Sequence, residues 1–136
     1  MEDRDNHILP RVLVIEDDQS VRRMLRFSLR TTGFSVTEAI NGGEAMEVLA
    51  KHTTDAVVLD LGLPDGLAGA VLERLRQAAQ QDGTPVWVVI SAMDREEAAK
   101  RYGPLGSSFM TKPFDPWDLI GTLEELLAAR PKPAQA

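Results

Sequence analysis

Four apolar runs of this chain are each followed by a residue able to carry or hold charge. Val12–Ile15 leads into Glu16-Asp17-Asp18, Ala56–Leu59 into Asp60, Val86–Ile90 into Ser91, and Ser107–Met110 into Thr111-Lys112. Two carboxylates about 4 Å apart repel by about 4 kcal/mol at an effective dielectric near 20. A cluster of them therefore calls for a cation or for strongly raised pKa values. The candidate ligands are all oxygens and the chain contains no cysteine, which favours Mg²⁺, with Mn²⁺ as a substitute, over Zn²⁺. A divalent ion with few protein ligands keeps positions for water and for a phosphate oxygen. Lys112 can neutralise a second such oxygen and the Ser91 hydroxyl can donate to a third, so the set suits a phosphoryl group. Taken singly, each residue has a plainer use. Asp60 can cap a turn, Glu16-Asp17-Asp18 can seat a helix N-terminus, Ser91 can close a turn and Lys112 can simply be solvated. Their joint position at strand ends is what points to a site.

The elements that would gather these groups are legible in the hydrophobic pattern. Five short apolar segments, the four above and Ser35–Ala39, read as strands, and several are continuous Val/Ile runs of the kind buried on both faces of a parallel sheet. Helical stripes lie between them: Val21, Met24, Leu25 and Ser28; Ala45, Val48 and Leu49; Leu72, Leu75 and Ala79; and, after the last strand, Leu119, Leu123, Leu126 and Leu127. The segment Asp94–Tyr102 is the weakest helix, with Ala98, Ala99 and Tyr102 its buried candidates. Gly33, Asn41-Gly42-Gly43, Gly83, Gly103-Pro104 and Asp115-Pro116 fall where helices should stop or start. Strict alternation implies an α/β fold, a doubly wound five-stranded parallel sheet with five helices, and short right-handed connections suit, without fixing, the flavodoxin-like order 2-1-3-4-5. In such a sheet ligands bind beyond the carboxyl ends of the strands, where the four groups fall.

Composition narrows the function classes. The chain has 136 residues, 21 acidic and 15 basic, for a formal net charge of −6. That size suits one domain, expected over residues 11–128 between an N-terminal extension, 1–10, and a linker-like tail, 129–136, that either ends the protein or was cut from a longer one. The apolar runs are too short for a membrane helix. The polar N-terminus lacks the apolar core of a signal peptide, which favours the cytoplasm. The acidic balance argues against direct nucleic-acid binding; Arg22, Arg23, Arg26 and Arg30 are expected to form a solvated helix face. His7 and His52 suggest no catalytic role.

Val12-Leu-Val-Ile-Glu-Asp-Asp, Val57-Val-Leu-Asp-Leu-Gly-Leu-Pro, Val88-Val-Ile-Ser-Ala and Phe109-Met-Thr-Lys-Pro-Phe, in this order and spacing, resemble the response-regulator receiver domain of two-component signalling over about residues 11–128. The resemblance implies that Asp60 is the phosphoacceptor, Asp17 a direct metal ligand, Glu16 the acid holding a metal-bound water and Gly62 a ligand through its backbone carbonyl. It makes Ser91 the switch hydroxyl, Lys112 the lysine that stabilises the transferring group and Phe109 the aromatic switch residue. The implied partners are a sensor histidine kinase or histidine phosphotransfer protein, and a downstream protein or an effector domain outside this chain. The implied role is that of a signalling protein that assists its own phosphorylation and dephosphorylation, with a readout on the surface of the fourth helix, fifth strand and fifth helix.

Some features depart from the family pattern. Ala68 stands where a glycine is usual, with glycines at 66 and 69, so an altered entry to the third helix is expected. Ser91 replaces the commoner threonine, Phe109 lacks a hydroxyl, and Lys112-Pro113, often cis in the family, is left open by the sequence. Gly62 and Met93 are expected to flank the path of a hydrolytic water, Gly62 leaving it open and Met93 partly covering it. A rival reading is a receiver-like adaptor that is never phosphorylated. Other phosphoryl and nucleotide enzymes fit less well, since Asp60-Leu61-Gly62 breaks an Asp-x-Asp pattern and acids occupy the place of a Gly-x-Gly-x-x-Gly turn.

Overall fold

The computed structural model describes residues 9–106 and 108–130. Along the chain run β1 (Arg11–Ile15), α1 (Gln19–Thr31), β2 (Ser35–Ala39), α2 (Gly42–Lys51), β3 (Ala56–Asp60), α3 (Ala68–Asp82), β4 (Val86–Ser91), α4 (Arg95–Tyr102), β5 (Phe109–Thr111) and α5 (Pro116–Ala129). The strands form one sheet of order β2-β1-β3-β4-β5, parallel throughout. This is the expected doubly wound sheet, and it makes β1, β3, β4 and β5 consecutive neighbours.

Because alternate side chains of a buried strand point to opposite faces, the sheet feeds two cores. Leu13, Ile15, Val57, Leu59 and Val89 pack with Ala45, Val71, Leu72, Leu75 and Ala98, which places α2, α3 and α4 on one face. Val12, Val14, Val58, Val88 and Ile90 pack with Leu25, Leu29, Leu119, Ile120 and Leu123, which places α1 and α5 on the other. Among the described residues no helix is long and apolar enough to cross a membrane.

Helix ends follow their local chemistry. Asp18 caps α1 by accepting from the N–H groups of Ser20 and Val21, and Asp94 and Asp115 cap α4 and α5 in the same way. Gly83 closes α3 in the left-handed region at φ 76°.

Several details differ from the sequence reading. Asp60 and Ser91 are the last residues of their strands, in register with Ile90 and Thr111, because the ladder continues through them. The start expected for the fifth strand, Ser107, lies outside the described residues, as do His7, most of the N-terminal extension and residues 131–136 of the tail. Of the buried candidates in α4, Ala98 is buried and Tyr102 half-buried, but Ala99 is exposed, since it falls one step round the helix from the face that meets the sheet. The arginines of α1 are only in part a solvated face. Arg22 and Arg26 reach Glu38 on β2 at 3.2 and 2.6 Å, while Arg23 and Arg30 are exposed. Glu38 lies on the edge strand beside α1, within the span of a long side chain.

Candidate functional site

Register decides what meets at the carboxyl edge of the sheet. Ile15 is aligned with Leu59, Asp60 with Ile90, and Ser91 with Thr111, so the strands end within one residue of each other. The ladder runs one step further through Leu61 N–H to the Ile90 carbonyl at 3.1 Å and Lys112 N–H to the Ser91 carbonyl at 2.8 Å. The residues at this edge surround an open cavity of about 520 Å³ lined by Glu16, Asp17, Asp60, Gly62, Ser91, Met93 and Lys112, together with Asp18 and Ala92. Six of the seven residues singled out for the site are therefore together. Phe109 lies outside the cavity. It is half-buried against the core on the α4 side, with the Arg95 guanidinium 5.9 Å from its ring centroid.

Lys112 sits between two acids. Its Nζ is 2.7 Å from Glu16 Oε1 and 3.3 Å from Asp60 Oδ2. The other Asp60 oxygen, Oδ1, accepts from the Gly62 N–H at 3.0 Å, so the carboxylate is fixed from both sides. Ser91 is buried, and its Oγ accepts from the Met93 N–H at 3.0 Å. The bond Lys112-Pro113 is cis.

Glu16 is fully buried. Its Oε2 accepts from the Asp18 N–H at 3.1 Å, while Oε1, close as it is to Lys112, has no partner in hydrogen-bonding geometry. Burial is the largest influence on this carboxyl. It outweighs Lys112 and, with help from nearby Asp60, pushes the pKa from 4.5 up to about 7. For Lys112 burial acts downward, but pairing with Glu16 and Asp60 prevails and holds the amine above its ordinary value.

Glu16, Asp17 and Asp60 each offer one oxygen, and these atoms lie within 4.8 Å of one another. An all-oxygen donor set, one member of it buried with an oxygen that Lys112 approaches without hydrogen-bonding geometry, fits a hard divalent cation. Such an ion would balance the negative charge that Glu16, Asp17 and Asp60 bring together.

Similarity to known proteins agrees with this geometry. The family model described as the response regulator receiver domain matches residues 12–124. The chain belongs to the response-regulator receiver family. Receivers typically hold Mg²⁺ through an acidic cluster of the kind seen here. The transcriptional regulatory protein PrrA of Mycobacterium tuberculosis is 35% identical over 125 residues, covering 89% of this chain and 51% of that protein. The response regulator MprA of a Mycobacterium species is 38% identical over 123 residues, covering 87% of this chain and 47% of that protein. This receiver thus spans about half the length of these curated relatives. Among solved structures, the receiver domain of the Francisella response regulator 1452 superposes with a TM-score of 0.75 at 27% identity, covering 88% of this chain and 97% of that one.

Two residues read from the sequence only as helix positions also contribute to the site. Arg22 Nη1 donates to the backbone carbonyls of Glu16 at 3.1 Å and Asp17 at 3.0 Å, fixing the loop that presents both acids. Its place, four residues after the α1 cap, carried the signal, but an arginine on a polar helix face reads as solvated. Tyr102 OH donates to the Leu61 carbonyl at 3.4 Å, from a helix distant in sequence. No local pattern marks that contact.

Proposed function

We propose that this receiver accepts a phosphoryl group on Asp60 from the phosphohistidine of a sensor kinase or histidine phosphotransfer protein. One observation carries the reading: the Asp60 carboxylate lines the cavity with Lys112 Nζ 3.3 Å from one oxygen and a second carboxylate, Glu16, 2.7 Å from the same amine. An Asp60 oxygen attacks phosphorus, the new O–P bond forms as the N–P bond to the donor imidazole breaks, and the imidazole leaves with the nitrogen electron pair. Lys112 turns from carboxylate to phosphoryl oxygen and balances the charge that develops there. The Ser91 hydroxyl, at the edge of the neighbouring strand, donates to a further phosphoryl oxygen.

In this reading Asp17, Asp60, the Gly62 carbonyl and, through water, Glu16 would hold Mg²⁺, or Mn²⁺ in its place. Bound there it supplies charge neutralisation for the phosphoryl oxygens. The receiver proper spans residues 11–128. The response passes to the surface of α4, β5 and α5 through Ser91 and Phe109, whose ring already lies under Arg95 at the start of α4. A downstream protein, or an effector domain outside this chain, reads that surface.

Incubation with Mg²⁺ and acetyl phosphate should add one phosphoryl group to the intact chain, detected by mass, and Asp60→Asn should abolish the addition. Labelling that survives the substitution would reassign the acceptor. A wild-type chain that takes neither acetyl phosphate nor beryllofluoride would favour the adaptor reading.

A further inference from the structure

The loop from β3 to α3 carries Gly62, yet α3 begins without a side-chain cap. Its fixity comes from a distant helix. Asp65 Oδ1 accepts from the Gly42 N–H at 3.1 Å, and Oδ2 from the Gly43 N–H at 2.9 Å, both in the first turn of α2. The same Oδ1 accepts from the Leu67 N–H at 3.2 Å, just before α3. The two segments touch at the bridge, since a Cβ on Gly42 would stand only 2.5 Å from Leu67 Cβ. On the other side the loop is tied by Leu61 N–H to β4. Gly62 therefore lies between a tie to β4 and a tie to α2, with a tight turn from Leu63 to Gly66 closed by a 3.2 Å bond and Gly66 at φ +74°.

Helix α2 also has a cap of its own. Asn41 Oδ1 accepts from the Glu44 N–H at 2.8 Å, and Glu44 Oε1 accepts from the N–H of Ile40, the residue before the cap, at 2.9 Å. Asp65 takes the two other first-turn N–H groups, those of Gly42 and Gly43, and so joins the start of the helix to the loop.

We propose that Asp65 is a positioning residue for the phosphoryl site: by clamping the Leu63–Leu67 turn onto the first turn of α2, it sets the backbone path through Gly62 and so the affinity for a divalent cation. The inference rests on the proposed metal role of Gly62. The N–H groups of Gly43, Gly42 and Leu67 hold the Asp65 carboxyl below its ordinary pKa, so the clamp stays ionised at neutral pH.

The test is calorimetric titration of the whole chain with Mg²⁺ for wild type, Asp65→Ala, Asp65→Asn and Asn41→Ala, alongside amide exchange of the metal-free proteins. Asp65→Ala should weaken Mg²⁺ binding by about 10-fold, Asp65→Asn less, and Asn41→Ala, which loosens α2 without touching the loop, by under about twofold. Amides 62–67 should exchange faster in metal-free Asp65→Ala than in Asn41→Ala. Labelling of Asp65→Ala by acetyl phosphate at saturating Mg²⁺ should reach the wild-type level. Wild-type affinity in Asp65→Ala, or an equal loss in Asn41→Ala, would overturn the positioning role while leaving the phosphoacceptor reading intact. A wild-type chain that binds no Mg²⁺ would remove that reading and this one together.

Discussion

Gly62 shows how one missing side chain can set the lifetime of a proposed intermediate. A Cβ at this position would stand 3.6 Å from Asp60 Oδ1 and 3.9 Å from Oδ2, directly over the acceptor carboxylate, and the backbone there imposes no demand for glycine. Met93, half-buried, lines the cavity on the β4 side. Gly62→Met should therefore keep the fold but shield the acyl phosphate from water and slow dephosphorylation by about 3- to 10-fold, or about 0.7–1.4 kcal/mol of barrier. The loss of label after removal of the phosphodonor measures this, and an unchanged or faster rate would refute it. The acids, hydroxyl and amine of the site were readable in the sequence because each follows an apolar run and the topology of a parallel sheet does the gathering. Arg22 and Asp65 were not, because their work is done on backbone groups, of the neighbouring loop for Arg22 and of a helix more than twenty residues away for Asp65. An arginine among arginines and an aspartate in a Pro-Asp-Gly turn carry no mark of that use.

Helix α4 is the least embedded element, with Ala98 its one buried residue, and is held mainly at its ends. At the start, Asp94 caps it and Arg95 lies over Phe109. At the finish, Arg76 of α3 donates to the carbonyls of Tyr102 and Pro104, and Tyr102 packs its ring over Gly69 while its hydroxyl reaches Leu61. Hydrogen bonds from a charged donor are worth about 1.5–3 kcal/mol each. Arg76→Ala should thus speed amide exchange in the last turn of α4 by about 10-fold, with a smaller change in the global unfolding midpoint. Exchange that stays at the wild-type rate would mean that Arg76 does not hold the helix. The sequence reading gave α4 its place and its weakness, since Asp94 and Gly103 bracket a segment with few apolar residues. The two end contacts that compensate were hidden because they join residues 26 to 41 positions apart. Strand β5 illustrates the same limit on a smaller scale: three residues long, it is defined by pairing with β4 more than by its own pattern.

For the molecule as a whole, the acidic cluster is a source of instability that depends on pH. The folded state holds the Glu16 proton up to about pH 7, whereas an ordinary carboxyl releases it near 4.5. Between those values the native chain binds more protons than the unfolded one, so this group favours folding at low pH and its contribution is lost as pH rises through about 7. Lys112, raised above 10.5, is charged in both states throughout this interval and adds no slope there. The urea midpoint of metal-free Glu16→Gln, which lacks the titrating group, should therefore gain on that of wild type as pH increases from 5 to 8 and level off above. Other carboxylates cancel in this difference. Saturating Mg²⁺ at pH 8 should stabilise wild type by mass action, about 2.7 kcal/mol at one hundred times the dissociation constant, and stabilise the glutamine variant less. A difference between the two midpoints that stays flat from pH 5 to 8 would mean that Glu16 is ionised in the folded chain at all these values, and that the buried carboxylate is balanced by Lys112 alone.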